Sequence, residues 1–322
     1  MIKIDLITGF LGSGKTTFIK KYAAHFLRKG QRIGILENDF GAVNVDRMLL
    51  QELQGENCDI ETIAGACDAD CHKRRFKTKL IAMAMVGYDR VIVEPSGIYD
   101  TDEFFDTLRE DPIERWYEMG TVLTIVDSGQ DLSLSEGSKY LLASQLANAG
   151  AVILSRTQLY PESTVSQTTE FIKSLSSKLC SRDITNCILC RPWDEMTDSD
   201  LDALSQKGCF RNDHVKHLLS DRSFQSLYFM HNTFTSASLK NFIHTLFTDP
   251  SCGKVYRIKG YFQENSLWYE CNADHTSLNI TPAPTGQDIL VIIGESLNPD
   301  YVRGLCPLKL PQGTPSLDPA SL

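Results

Sequence analysis

The stretch GFLGSGKTT, Gly9 to Thr17, constrains this chain more than any other. It follows the apolar run IKIDLITGF (2–10). It leads into TTFIKKYAAHFLRKG (16–30), where Phe18, Tyr22, Phe26 and Leu27 recur at helical spacing before Gly30. A strand, a turn fitting G-x-x-x-x-G-K-[ST] and a helix, in that order, make a phosphate-binding loop. Gly9, Gly12 and Gly14 let the backbone aim its N–H groups at phosphate oxygens. The helix N-terminus adds partial positive charge. Lys15 reaches the β- and γ-phosphates, and the Thr16 hydroxyl takes magnesium. Ser13 and Thr17 complete the expected nucleotide contacts. The expected ligand is a nucleoside triphosphate with its magnesium ion.

The elements around this loop alternate. RIGILEND (32–39), DRVIVEPSG (89–97), GTVLTIVDS (120–128), AGAVILSRT (149–157) and NCILCRPW (186–193) read as strands. TKLIAMAMVGY (78–88), SKYLLASQLANA (138–149) and TVSQTTEFIKSLSSKL (164–179) read as helices. Runs apolar on both faces with helical crossovers predict a mostly parallel sheet covered on each side, an α/β P-loop NTPase fold. The pattern changes after a polar stretch at about 204–224. Strand-like runs at 224–234, 254–262, 266–272 and 288–297 then surround a helix-like 236–247, with a second short helix at 298–305. The expected organisation is a P-loop domain over 1–220, a smaller C-terminal α+β domain over 221–310 and a flexible tail, 311–322, rich in Pro, Ser and Gly.

A phosphate loop needs a carboxylate beside it. Glu94 ends the strand VIVEP, at the edge where open α/β sheets bind ligands. It is the expected magnesium ligand and water-positioning group. Gly97 leaves room for backbone beside the γ-phosphate. LENDFGAVNVD (36–46) brings Glu37, Asp39 and Asp46 to the same edge, with Asp39 a second candidate for magnesium, on a loop placed to act as a switch.

IAGACDADC (63–71) places Cys67 and Cys71 four residues apart. The pair suits a soft metal ion, with Asp68, Asp70, His72 and Asp39 as further donors, or it is two packed thiols. Cys58 is a weaker candidate beside them. Cys187 and Cys190 form C-x-x-C with Cys180 nearby, but in a buried strand positions three apart face opposite ways, so packing is the expected use. Ten cysteines in a chain with no signal-peptide architecture and no run of about 18 apolar residues are expected as reduced thiols of a cytoplasmic protein without a membrane span. The net charge of −9 argues against broad binding to nucleic acid or anionic lipid, and the basic run HKRRFKTK (72–79) reads as solvated charge.

With these motifs in place, the chain resembles the CobW-like P-loop GTPases, a family that includes metallochaperones and proteins linked to cobalamin synthesis. Its loop is shared with them. Asn38-Asp39-Phe40-Gly41 with Asp46 resembles their NEFG segment, and Glu94 to Gly97 their E-x-x-G. RIKGYF (257–262) and VIIG (291–294) resemble their C-terminal strands. The resemblance implies GTP hydrolysis coupled to handling zinc or cobalt and to delivery of the metal to a client protein. It makes Cys67 and Cys71 the transition-metal ligands, since the family carries C-x-C-C after a glycine. Two departures stand out. Where the family reads guanine with N-K-x-D, this chain has Ser155, Arg156 and Gln158. An amide offers one acceptor beside a donor and cannot accept from both guanine N–H groups, so weaker guanine selectivity is expected, with Arg156 left to stack on the base. The cysteine spacing is also altered, and the family's histidine-rich stretch is reduced to His214 and His217. The alternative is a nucleotide-gated assembly module for a corrinoid or other metalloenzyme with little turnover. A P-loop kinase is a third option, but it lacks an acceptor or lid motif.

Overall fold

The computed structural model describes residues 1–38, 50–63, 69–97, 99, 101–210, 224–230, 233–275, 277–284, 286 and 288–306. The chain divides into two compact units, Met1–Leu219 and Ser220–Leu322.

In the first unit the strands are β1 (Ile2–Gly9), β2 (Ile33–Asn38), β3 (Cys58–Ile63), β4 (Arg90–Pro95), β5 (Tyr117–Asp127), β6 (Ala151–Ser155) and β7 (Ile188–Leu189). They pair in the order β3-β2-β4-β1-β5-β6-β7, every pairing parallel. The described helices are α1 (Lys15–Arg28), α2 (Ala69–Val86), α3 (Thr101–Leu108), α4 (Glu136–Ala147), α5 (Glu162–Cys180) and α6 (Asp198–Ser205). Side chains alternate along each strand, so odd and even residues face opposite layers. Ile33, Ile35, Ile60, Ile92, Ile125 and Ile153 pack with Phe18, Ile19, Tyr22, Ala23 and Phe26 of α1 and with Leu201 and Leu204 of α6. Ile4, Leu6, Leu36, Val91 and Val93 face Phe76, Leu80 and Met83 of α2 and Phe104 of α3. Burying each large side chain is worth roughly 1.5–3 kcal/mol. The helix that opens at the phosphate loop is therefore fixed to the sheet along one stripe.

A polar network is enclosed within this apolar packing. Asp5 Oδ2 accepts from Tyr22 Oη at 2.9 Å and is ion-paired with Arg90. Its Oδ1 accepts from the Thr121 N–H at 2.9 Å. All three side chains are buried. A buried carboxylate is tolerable only with such a complete set of donors.

The second unit is an antiparallel sheet ordered β11-β10-β9-β12-β8, from β8 (Phe224–Met230), β9 (Lys254–Glu264), β10 (Leu267–Ala273), β11 (Leu278–Ala283) and β12 (Ile289–Glu295). Its core joins Ile258, Phe262, Leu290 and Ile292 to Leu239, Phe242 and Leu246 of α7 (Ser236–Thr248) and to Val302 of α8 (Pro299–Leu305).

The main expected elements are present, with five corrections to the sequence reading. β3, α3, α6 and β11 were not expected. NCILCRPW is not one buried strand: β7 is two half-buried residues, Cys187 ends a 3₁₀ turn (Thr185–Cys187), and Cys190 is exposed. Trp193 begins a second 3₁₀ turn, Trp193–Glu195. No described helix is long and apolar enough to cross a membrane.

Candidate functional site

The loop between β1 and α1 is shaped by its glycines. Gly12 and Gly14 hold φ of 76° and 95°, a region side chains rarely enter. Gly14 is the N-cap of α1 and supplies no side-chain cap, and the first turn of the helix carries no acid. The N–H groups at this end are thus not met by a side chain of the cap or by an acid of the helix's own first turn, the arrangement that suits phosphate. A Cβ at Gly9 would collide with the carbonyl oxygen of Ile125. Ser13 is buried, and its Oγ has no hydrogen-bond partner.

Lys15 and Thr16 are the first two residues of α1 and are both buried. Lys15 Nζ donates to the Gly9 carbonyl at 3.2 Å. Thr16 Oγ1 donates to Glu94 Oε1 at 2.8 Å, joining residues 78 apart in sequence. Glu94 is only 7% exposed. Thr17, the third residue of α1, is exposed. Glu37, also buried, is the register partner of Glu94 on β2, and Thr62 on β3 is the partner of Glu37. A row of polar side chains, Thr62, Glu37 and Glu94, therefore crosses three strands and ends at Thr16.

Gly97 lies against the backbone of the phosphate loop. A Cβ there would lie 2.7 Å from Leu11 N and 2.9 Å from Leu11 Cα. The residue lets the chain after β4 pack directly on the phosphate loop, with Leu11 backbone in the room that a side chain would fill.

At the expected base end, Ser155 closes β6 and is buried, with Oγ 3.4 Å from the Val126 carbonyl. Arg156 follows in the left-handed region, φ 57°. Its guanidinium is paired with Asp127 at the end of β5, whose Oδ1 also accepts from Gly129 N at 2.8 Å. In the structure Arg156 is held by a carboxylate, so the stacking role expected of it competes with an ion pair. Gln158 is exposed on the turn Thr157–Leu159.

Sequence reasoning missed two residues here. Asp127 fixes Arg156. Trp193 lies against the loop, its Cη2 3.3 Å from where a Gly14 Cβ would stand, with Ser155 Cβ 3.9 Å away. Its ring meets Phe18 edge-on at 5.4 Å, Nε1 donates to the Leu154 carbonyl at 3.2 Å, and its own carbonyl accepts from Lys21. The Pro-Trp pair after the last strand was the available signal, and it was absorbed into a strand.

Asp39, Asp46, Cys67, Asp68, His214 and His217 lie outside the described residues. Cys71 and Asp70 are in the first turn of α2, with only their backbone described. His72 is fully buried, with Nδ1 4.0 Å from Glu103 Oε1 of α3. Cys58 opens β3. It packs in the core, and burial pushes its thiol up to about 11. Cys180 ends α5, buried and likewise raised to about 11 by desolvation, with Sγ 3.2 Å from the Ala143 carbonyl. Cys187 Sγ accepts from Arg182 at 3.7 Å. Among the described residues no three His, Cys, Asp or Glu side chains are arranged to hold a metal ion.

The zinc chaperone YeiR of Escherichia coli (strain K12) is 30% identical over 165 residues, 51% of this chain and 49% of that protein. The zinc chaperone YjiA of the same organism is 26% identical over 171 residues, 50% of this chain and 51% of its own length. The chain spans about half the length of the curated relatives it matches. The crystal structure of Zn(II)-bound YjiA GTPase from E. coli overlays 94% of this chain and 97% of its own at 16% identity and a TM-score of 0.40, too loose an overlap to argue from. Residues 3–181 match the model of the CobW/HypB/UreG nucleotide-binding domain, and the chain belongs to that family.

Proposed function

We propose that this protein is a P-loop NTPase, GTP-preferring, whose nucleotide cycle drives delivery of a metal ion to a client protein. The hydrogen bond between Thr16 and Glu94 carries the reading. It sets a buried carboxylate at the start of the phosphate loop helix, where a transferring phosphoryl group and its water must be held. Lys15 turns from the Gly9 carbonyl to the β- and γ-phosphates and offsets their charge. The N–H groups of Gly12 to Thr16, with Ser13 and Thr17, cradle the phosphates. Glu94 orients the attacking water through the oxygen that Thr16 does not engage.

Magnesium fits the donors present. A hydroxyl and a carboxylate oxygen at 2.8 Å, with Glu37 one strand away, are the hard ligands that ion prefers. Thr16 and Glu94, with Asp39, would hold it, and bound magnesium supplies charge neutralisation at the phosphates. The transported metal is a substrate of the cycle. Zinc is the expected cargo because the relatives matched are zinc chaperones, and cobalt is the second candidate. Cys67 and Cys71 are assigned as its thiolate ligands. The domain division near residue 220, a soluble cytoplasmic setting and a metalloprotein client complete the reading.

The test is turnover with GTP and ATP by the full chain and by Lys15→Ala and Glu94→Gln. GTP hydrolysis that falls at least tenfold in Glu94→Gln while nucleotide stays bound supports the assignment. Undiminished hydrolysis in Glu94→Gln removes Glu94 from the chemistry. Preference for ATP retires the guanine label.

A further inference from the structure

Helix α4 is buried along most of its C-terminal half, through Leu141, Leu142, Ala143, Leu146 and Ala147. Gln145 is the one long polar side chain among the buried residues of this helix, and it has no exposed surface. Its Nε2 donates to the Gly97 carbonyl at 3.1 Å. Its Oε1 is also buried and has no hydrogen-bond partner among the described residues. An amide enclosed with its oxygen unmet is unfavourable beside an apolar side chain of the same size. Packing alone therefore does not account for an amide at this position. What the amide supplies is its bond to Gly97.

Both ends of Gln145 are anchored. Its backbone carbonyl accepts from Thr124 Oγ1 at 2.8 Å, a buried hydroxyl on β5. Thr124 is the register partner of Thr8, which precedes Gly9 at the root of the phosphate loop. The side chain then reaches Gly97, on the segment that follows Glu94 and abuts Leu11. A second tether lies close by. Asn148 Nδ2 donates to Thr101 Oγ1 at 3.1 Å, and Thr101 Oγ1 donates to the Ser144 carbonyl at 3.2 Å. Thr101 is the first residue of α3. The chain leaving β4 is thus held at Gly97 and again at Thr101 by the end of one helix, a more rigid support than a loop provides.

We propose that Gln145 is a positioning residue for the nucleotide site. By holding the Gly97 carbonyl it keeps the segment that begins at Glu94 in place against the phosphate loop. The inference rests on the P-loop NTPase reading above and on the part Glu94 plays in it. Gln145 acts through Gly97 and Glu94 and touches no nucleotide itself. The phosphates cradled by the loop do not depend on it. The γ-phosphate and the water beside it do, because a small misplacement of the group that orients them is costly in rate. Its loss therefore falls on the chemical step and on triphosphate over diphosphate, not on nucleotide binding in general.

The test uses the full chain and Gln145→Met, which fills a similar volume without a donor. Ser144→Ala is the control, since that hydroxyl donates to the Leu141 carbonyl of its own helix at 3.0 Å. Single-turnover GTP hydrolysis, GTP and GDP affinities and melting temperature are measured on each. In Gln145→Met the rate should fall at least tenfold and the ratio of GTP to GDP affinity at least threefold, with GDP affinity within twofold of the wild type. Ser144→Ala should stay within twofold throughout. If Gln145→Met does not fold by circular dichroism, Gln145→Asn is read instead; it shortens the reach of the amide and should lose at least threefold in rate. An undiminished rate in the Gln145 variants, beside a wild type that turns over, overturns the inference alone. So does a fall of GTP and GDP affinity together with melting temperature, which marks a structural brace. A wild type that hydrolyses no nucleoside triphosphate overturns the nucleotide reading and the inference with it.

Discussion

Gly97→Ala tests how the strand that carries Glu94 is joined to the phosphate loop. The new methyl would stand 2.7 Å from Leu11 N and 2.9 Å from Leu11 Cα and Cδ2. That is roughly 0.8 Å short of an ordinary contact of about 3.5 Å. Two of the three atoms are backbone, so no rotamer change relieves the clash, and either the loop or the chain after β4 must move. Overpacking of this kind costs about 1–3 kcal/mol. If the phosphate loop absorbs the shift, its N–H groups leave their positions and the same energy appears as weaker binding, about five- to a hundred-and-fifty-fold. Fluorescent GTP-analogue titration measures the affinity, and guanidinium denaturation followed by tryptophan emission measures the stability. Gly55→Ala is the control, because its methyl meets nothing within 4 Å and the change should stay within about 0.5 kcal/mol. A Gly97→Ala protein as stable and as tight-binding as the wild type would refute the contact and the reasoning built on it.

Three further outcomes are expected. Arg90→Leu should lose about 3–5 kcal/mol in denaturant unfolding, because it leaves the Asp5 carboxylate buried without its cation. Asp198 is held below the usual carboxylate range by His25 and then Arg28, and Asp202 by Lys29 and then His25. Depressed values stabilise the fold above the ordinary carboxylate pKa and lose that contribution as pH falls through the lowered value. Asp198→Asn/Asp202→Asn should therefore flatten the decline in stability below about pH 4, read by melting temperature against pH. Gln158→Asp should raise discrimination of GTP over ITP at least tenfold, about 1.4 kcal/mol, because only a carboxylate accepts from both guanine donors. Unchanged discrimination in competition binding would place the base elsewhere.

The parts most legible in the sequence are those where chemistry restricts residue choice. The phosphate loop is bound to three glycines and a lysine, and the central strands β1, β2, β4, β5 and β6 are apolar on both faces because helices cover both. What escaped notice was short, peripheral or decided by tertiary packing. β3 mixes Asp59, Glu61 and Thr62 with its apolar residues because it is an edge strand, with β2 its one neighbour among the described residues. α3 and α6 have eight residues each, about two turns, too few for periodicity to stand out. The NCILC run is apolar enough for a strand, yet its pairing to β6 stops after two residues. At the site, Lys15, Thr16 and Glu94 were readable from motif and strand end. Trp193 and the Asp127–Arg156 pair were not, because the contacts that place them join distant parts of the chain. Gly97 was noticed, but its neighbour, Leu11, is visible only in three dimensions.

The account stands on the coupling of a phosphate loop to a metal cargo, and single-turnover GTP hydrolysis with and without stoichiometric zinc measures it most directly. The wild type should change its rate or its GTP affinity at least fivefold when zinc is added. Cys67→Ser/Cys71→Ser should lose that response while keeping its zinc-free rate. A wild type indifferent to zinc, or a double variant that responds as the wild type does, would contradict the account.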